Sequence, residues 1–358
     1  MPMPAIHMRA ETRSVERRAP LTPDDAGRLT RAGIRVTVEK SRSRCFPTND
    51  YAALGCAIAD EGSWADSHPD EVVLGLKELP ELPTHLRSRH VLFGHAYRGQ
   101  PGAHALLRRF RSGGGTLLDL ESLVDATGRR VVTFGYWAGY VGAALAILRF
   151  WDQLAPPLHP TTRRELDASL VRATSAEPRV LVVGALGRAG RGACDAVSRA
   201  GIEPTRWDVE QTRSIDREAL RSHDVLVHAV GANEAGPPLV GPEDLDRGHS
   251  RLRLVADVTC DVGTPYDLLS LHDRTTSWDE PVLSLPRGGE VIAIDNLPSL
   301  LPIEASTTFS AALLPHLVRL GRHGLSDPVW RRVRTAFDHA CETAGIDTSE
   351  TTHQGVLP

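Results

Sequence analysis

"VLVVGALGRAGRGACDAV", residues 180–197, is the stretch on which the fold turns. Four apolar residues run into Gly184-x-x-Gly187-x-x-Gly190, and a helical pattern follows. A strand, a glycine turn and a helix in that order bring backbone N–H groups and a helix N-terminus to one point, where a pyrophosphate can sit. The spacing is GxxGxxG rather than GxGxxG, so its surroundings must carry part of the weight. They do: "PTRWDVEQT" (204–212) ends its short apolar segment on Asp208. A carboxylate there binds the adenosine ribose hydroxyls and repels a 2′-phosphate. NAD is therefore expected over NADP, with Arg206 and Arg213 nearby weakening the preference. "HDVLVHAVG" (223–231) reads as a fourth strand of the same domain.

Outward from this stretch the pattern repeats. "AIHMRA", "IRVTVEK", "EVVLGL", "HVLFGHA" and "GTLLDLE" read as buried strands within the first third of the chain. "LTPDDAGRLTRAG" predicts a helix with Thr22 as N-cap, Pro23 at its first position and Gly33 as its stop. Alternating strands and helices imply an α/β protein: two Rossmann-like, doubly wound parallel-sheet domains with an interdomain cleft. "FGYWAGYVGAALAILRFWDQL" (134–154) reads as one apolar helix with small residues on one face, suited to a seam between domains. A Pro-containing polar stretch, 156–178, precedes the glycine motif. "LPSLLPIEAS" (297–306) leads into "FSAALLPHLVRL", which returns the chain to the first domain. The expected division is 1–132 plus about 308–358 for substrate and catalysis, and 133–307 for NAD.

Composition sets the outer limits. A chain of 358 residues is long for one core. Its 41% hydrophobic and 24% charged residues are those of an ordinary globular protein. A net charge of −4 gives no reason to expect nucleic acid or an acidic membrane as partner. Five widely spaced cysteines without a CxxC read as reduced thiols, not as disulfides or a metal site. The N-terminus lacks a signal-peptide core, and the longest apolar run falls short of a membrane span, so a cytoplasmic protein is expected. No exposed heptad announces an interface, and a monomer is the default.

Only two of the 41 basic residues, Lys40 and Lys77, are lysines. Arginine stays charged, whereas a lysine amine can be brought near neutrality and then accept a proton. Lys40 lies in a polar segment and shows that a lysine also persists here without special reason. Lys77 does not: with Glu78 it follows "VVLGL", as His95 follows "VLFG" and as Asp119 and Glu121 end "GTLLDLE". Ligands in open α/β sheets bind beyond the carboxyl ends of the strands, so Lys77, His95 and Glu121 could share one crevice. A lysine and a histidine can handle two proton transfers, with carboxylates tuning them. The plainer reading of a histidine at a strand end is a structural one, and Glu78 could serve only as an ion-pair partner. The arginines of "RAETRSVERRAPLTP" and "GRRVVTFG" read either as a solvated basic face or as a grip on a dicarboxylate.

Taken in order, "HMRAETRSVERRAPLTP", "GLKELPE", "FGHAY", "GTLLDLE", "GRRVVTFGYWAG", "GALGRAGRGA" and "IDNLPSLLPIEAS" resemble NAD-dependent, lysine-forming saccharopine dehydrogenases, relatives of alanine dehydrogenase, over nearly the whole chain. The resemblance implies oxidation of saccharopine at its secondary amine by NAD and hydrolysis of the imine to L-lysine and 2-oxoglutarate, a reaction of lysine metabolism and amino-acid biosynthesis. It implies that Lys77 takes the amine proton and that His95 serves water addition and carbinolamine collapse. Glu78 and Glu121 would tune them, and Arg18 and Arg130 would hold carboxylates, beside Arg13, Arg98 and Phe134. Cofactor contacts are implied for Gly184, Leu186, Gly187, Arg188, Gly190, Asp208, Arg213, Asp257, Asp295 and Leu297. The chain departs from the family pattern at Arg13 and Arg98, where lysine is usual, and at Ile303, where "LPREAS" has become "LPIEAS". Ile303 puts the amine substrate in question, so another N-(dicarboxyalkyl) amino acid is an open alternative. The remaining alternatives are an alanine dehydrogenase-like enzyme and a non-catalytic NAD-binding sensor.

Overall fold

The computed structural model describes residues 5–97, 99–171, 177–231, 236–246 and 248–346. The chain divides into two compact units, Met1–Thr133 with Ser306–Pro358, and Phe134–Ala305. Arg98, one of the expected substrate ligands, lies outside the described residues.

The strands of the first unit are β1 (Ile6–Met8), β2 (Val36–Glu39), β3 (Ala57–Ala59), β4 (Val72–Leu74), β5 (Arg89–Leu92) and β6 (Thr116–Asp119). Those of the second are β7 (Val180–Val183), β8 (Thr205–Trp207), β9 (Val225–His228), β10 (Leu254–Asp257), β11 (Leu283–Ser284) and β12 (Glu290–Ile292). The described α-helices are α1 (Pro23–Arg31), α2 (Thr48–Ala53), α3 (Ala103–Gly113), α4 (Gly135–Phe150), α5 (Arg163–Leu170), α6 (Arg188–Arg199), α7 (Val209–Thr212), α8 (Arg217–Arg221), α9 (Pro302–His323) and α10 (Pro328–Thr343).

The first sheet has the order β3-β2-β1-β4-β5-β6, parallel throughout. Its order reverses between β1 and β4, and the crevice at such a switch point is where doubly wound sheets bind ligands. Helix α1 begins as its residues require: the Thr22 hydroxyl accepts from the Asp25 N–H at 3.2 Å, Pro23 follows, and Gly33 takes φ +82° after the last turn. From the later part of the chain, Ser306 and Ser310 accept from the N–H groups of Ala19 and Thr22 at 2.8 and 3.0 Å. Trp330, fully buried, donates its ring N–H to the His316 carbonyl.

The second sheet runs β11-β12-β10-β9-β7-β8, parallel except for β11 against β12. The segment expected as a fourth strand, β9, is third in chain order and pairs directly with β7. The apolar helix α4 is explained inside this unit. Its small-residue face lies on α6, where a Cβ on Gly139 would stand 1.8 Å from the Ala189 carbonyl and one on Gly192 would stand 1.9 Å from that of Tyr136. The glycines thus serve helix contact within this unit. Helix α9 also starts earlier than "FSAALLPHLVRL" suggested, because Pro302 fits a first turn and takes Ile303 and Glu304 into the helix.

Candidate active site

Strand β1 ends on Met8, and the next residues hold the neighbouring strand. Arg9 is 1% exposed; its guanidinium donates to the Lys77 carbonyl, to the Glu78 carbonyl at 3.2 Å and to Glu11 at 3.1 Å. Glu11 in turn accepts from the N–H groups of Leu76 and Lys77 at 2.7 and 3.0 Å. Burial pushes the Glu11 carboxyl up, and Arg9 with these two N–H donors opposes it. Gly75 is required beneath this clamp, since a Cβ there would stand 2.5 Å from Arg9 Nε. The backbone of Lys77 is therefore fixed on both sides while its half-buried side chain projects from the end of β4.

His95 follows β5 with φ +48°, in the left-handed region that a residue with a Cβ enters only when its surroundings impose it. Its ring stacks on Phe93 at 6.2 Å between centroids, and Nδ1 stands 3.6 Å from Glu121. Hydrogen bonding to Glu121 holds the imidazole above its ordinary value, against burial and the nearby Lys77 charge. Glu121 also pairs with Arg130 at 2.7 Å, so one carboxylate orders both a base and a cation. The imidazole remains open, its side chain 56% exposed. Among the described residues, Lys77, His95, Glu121 and Arg130 are groups at this sheet end suited to proton transfer and anion contact.

Other expectations meet different surroundings. Arg18 is buried and donates to both oxygens of Glu16, at 2.8 and 2.6 Å. The fork expected to meet a substrate carboxylate is paired with Glu16, because removal from water demands a partner for the cation. Arg13 pairs with Glu78, half-exposed. Burial raises Glu78, but its hydrogen bonds and the Arg13 and Lys77 charges outweigh this and leave it lower than usual.

The second unit presents the glycine turn at the end of β7. Gly184 has φ +84°, and a Cβ on Gly190 would stand 2.0 Å from the Gly184 carbonyl. Asp208, at the end of β8, draws the turn in: its carboxylate accepts from Leu186 N–H at 2.8 Å and from Val209 N–H at 2.9 Å. Arg188 opens α6, and exposed Leu186, 72% accessible, rises from the turn. Arg213 is exposed just beyond α7 and Asp295 just beyond β12, while Phe134 stands half-buried before α4. A cradle that only glycine fits, opening a helix beside a carboxylate, suits a dinucleotide.

Two cofactor candidates have other duties. Asp257 is 1% exposed, and its carboxylate accepts from Thr259 N–H and hydroxyl at 3.1 and 2.8 Å and from Cys260 N–H at 3.2 Å. His228 and His272 flank it at 3.5 and 3.4 Å, and Asp257 supports this turn from within. The Leu297 side chain belongs to the core beside Gly142 of α4. The Arg9–Glu11 clamp escaped the sequence reading, in which both residues stood only as part of a charged run. Their spacing at the end of a buried strand was the available signal. Among the described residues no metal-holding group of three His, Cys, Asp or Glu occurs, and no helix is long and apolar enough to cross a membrane.

Residues 7–141 match the family described as alanine dehydrogenase/PNT, N-terminal domain. An L-alanine dehydrogenase shares the fold at TM-score 0.69 and 17% identity, with 93% of this chain and 99% of that one covered. The transhydrogenase from Sinorhizobium meliloti does so at TM-score 0.65 and 17% identity, with 88% and 94% covered. The class is that of the two-domain nicotinamide-nucleotide dehydrogenases, and NAD is its cofactor. Sequence narrows this further. Saccharopine dehydrogenase (NAD(+), L-lysine-forming) of Schizosaccharomyces pombe is 36% identical over 94% of this chain and 98% of its own length. That of Neurospora crassa is 38% identical over 94% and 96%. The chain belongs to the saccharopine dehydrogenase family. The mitochondrial alpha-aminoadipic semialdehyde synthase of Rattus norvegicus is 30% identical over 37% of this chain and 14% of its own length.

Proposed function

We propose that the protein interconverts saccharopine with L-lysine and 2-oxoglutarate. The observation that carries this reading is a lysine and a carboxylate-paired histidine on neighbouring strand ends of a saccharopine dehydrogenase-family chain. NAD would be held by the Gly184–Gly190 turn and Asp208 and would supply the hydride acceptor. Lys77 takes the proton from the secondary amine as it is oxidised. His95 accepts a proton from water as it adds to the imine and returns one to the departing amine nitrogen. Glu121 keeps the imidazole oriented and basic, and Arg130 meets a carboxylate of the oxoacid half. Reductive condensation of lysine with 2-oxoglutarate follows the same steps backwards.

A second reading, with another amine in place of lysine, is favoured by Ile303, whose side chain is 43% exposed in the first turn of α9. An isoleucine at that position offers no contact to a carboxylate. The test is NADH oxidation with 2-oxoglutarate, offering lysine first and then a panel of amines. Lysine-dependent turnover supports the first reading, and turnover with a different amine alone supports the second. Absence of turnover across the panel, or turnover with ammonia and pyruvate instead, removes both.

A further inference from the structure

Behind His95 and Glu121 lies a carboxylate to which the steps above assign nothing. Asp119 ends β6, opposite Leu92 of β5, and is 0% exposed. Its Oδ1 accepts from the Glu121 N–H at 2.9 Å and so caps the short turn Leu120–Ser122 that carries Glu121. Its Oδ2 has no hydrogen-bond partner among the described residues. That oxygen faces Gly94, where a Cβ would come within 3.0 Å of it, and Gly94 immediately precedes the left-handed His95. With only the Gly94 backbone beside it and no hydrogen bond of ordinary geometry, this buried carboxylate oxygen is costly and calls for a reason.

We propose that Asp119 is a positioning residue for the His95–Glu121 pair, fixing the turn that carries Glu121 and placing a second negative charge behind the imidazole. This rests on the reading of His95 as acid–base group. Two anionic sites near one imidazole favour its protonated form more than one does. Burial, and then repulsion by Glu121, move the Asp119 carboxyl up to about 6, opposed by the Glu121 and Gly94 N–H groups and by His95, so the Asp119 and His95 titrations are coupled. The other titratable neighbours are Lys77, which opposes His95 protonation, and Tyr97, which senses Asp119 and, from α10, Cys341 and Asp338.

The test uses the full-length protein with Asp119→Asn and Asp119→Ser. Both remove the charge, and serine can still cap the Glu121 turn. The His95 imidazole is titrated by NMR with labelled histidine, its signal assigned by its loss in His95→Gln, and kcat/KM is followed against pH. The expected result is a fall of about one pH unit in the His95 titration in both variants, the scale of removing one nearby charge, with the matching limb of the rate profile moving alike. An unmoved His95 titration in either folded variant overturns the proposal, even if turnover falls. If the titration moves while the rate limb stays where it was, the coupling holds and the acid–base reading of His95 fails.

Discussion

A lysine amine differs from a guanidinium in that its charge can be removed near neutrality, and Lys77 stands where such a group is useful. The Arg9–Glu11 clamp fixes its backbone through the carbonyl and N–H of Lys77, so the fold does not depend on the amine for that anchorage. His95 has the complementary arrangement, with Glu121 keeping its proton to higher pH than a free imidazole would. A raised pKa means that any rate limb set by His95 lies above the ordinary value near 6.5. In Glu121→Gln that limb should move down by about one pH unit, as a kcat/KM profile would show; a limb that stayed in place would separate Glu121 from His95. Arg18 shows what residue identity leaves out: an arginine ahead of a helix suggested a substrate grip, and in the folded protein it is buried and paired with Glu16, two residues away.

At the scale of elements, a glycine and a buried histidine offer direct tests. A Cβ on Gly75 collides with the Arg9 guanidinium beside Lys77, so Gly75→Ala should cost about 1–3 kcal/mol of stability in denaturant melts. A cost near zero would mean that the clamp yields easily. His90 of β5 lies edge-on to Trp64 and Phe110, and burial drives its pKa down to about 3. Its folded value is below its unfolded one, so its contribution is fully present above pH 6.5 and is lost as the pH falls from there toward 3. Melting temperature should therefore drop less steeply between pH 6.5 and 5 in His90→Phe than in the parent. Equal slopes would argue against a neutral, buried His90. Strands, the cap of α1 and the glycine turn were legible because each depends on neighbours in sequence: Thr22 with Pro23, Val183 with Gly184. The start of α9 was misjudged because Pro302 permits a first turn as readily as it ends a loop. The surroundings of Asp257 were only half legible: Thr259 and Cys260 are its neighbours in sequence, whereas His228 and His272 meet it only in the folded domain.

For the whole molecule, family membership and the acid–base residues point the same way. The sequence reading reached the family through ordered segments, from "RAETRSVERRAPLTP" to "LPSLLPIEAS", spread along the chain. What it did not reveal was how the arginines are paired: Arg13 meets Glu78 across 65 residues, and Arg18 meets Glu16 only two residues away. The proposed link between Ile303 and substrate choice concerns the entire enzyme. Ile303→Arg restores a cation in the first turn of α9, and should lower KM for an amine substrate bearing a carboxylate by about tenfold or more, the equivalent of one charge-assisted hydrogen bond. An unchanged KM would detach that position from substrate recognition. The central claim, that Lys77 is the base of an NAD-linked amine oxidation, is tested most directly by Lys77→Met, with saccharopine turnover and NADH binding measured on the same preparation. The account expects turnover to fall by about 10²–10⁴-fold, as for loss of a general base, with NADH binding retained. Turnover equal to that of the parent would contradict it.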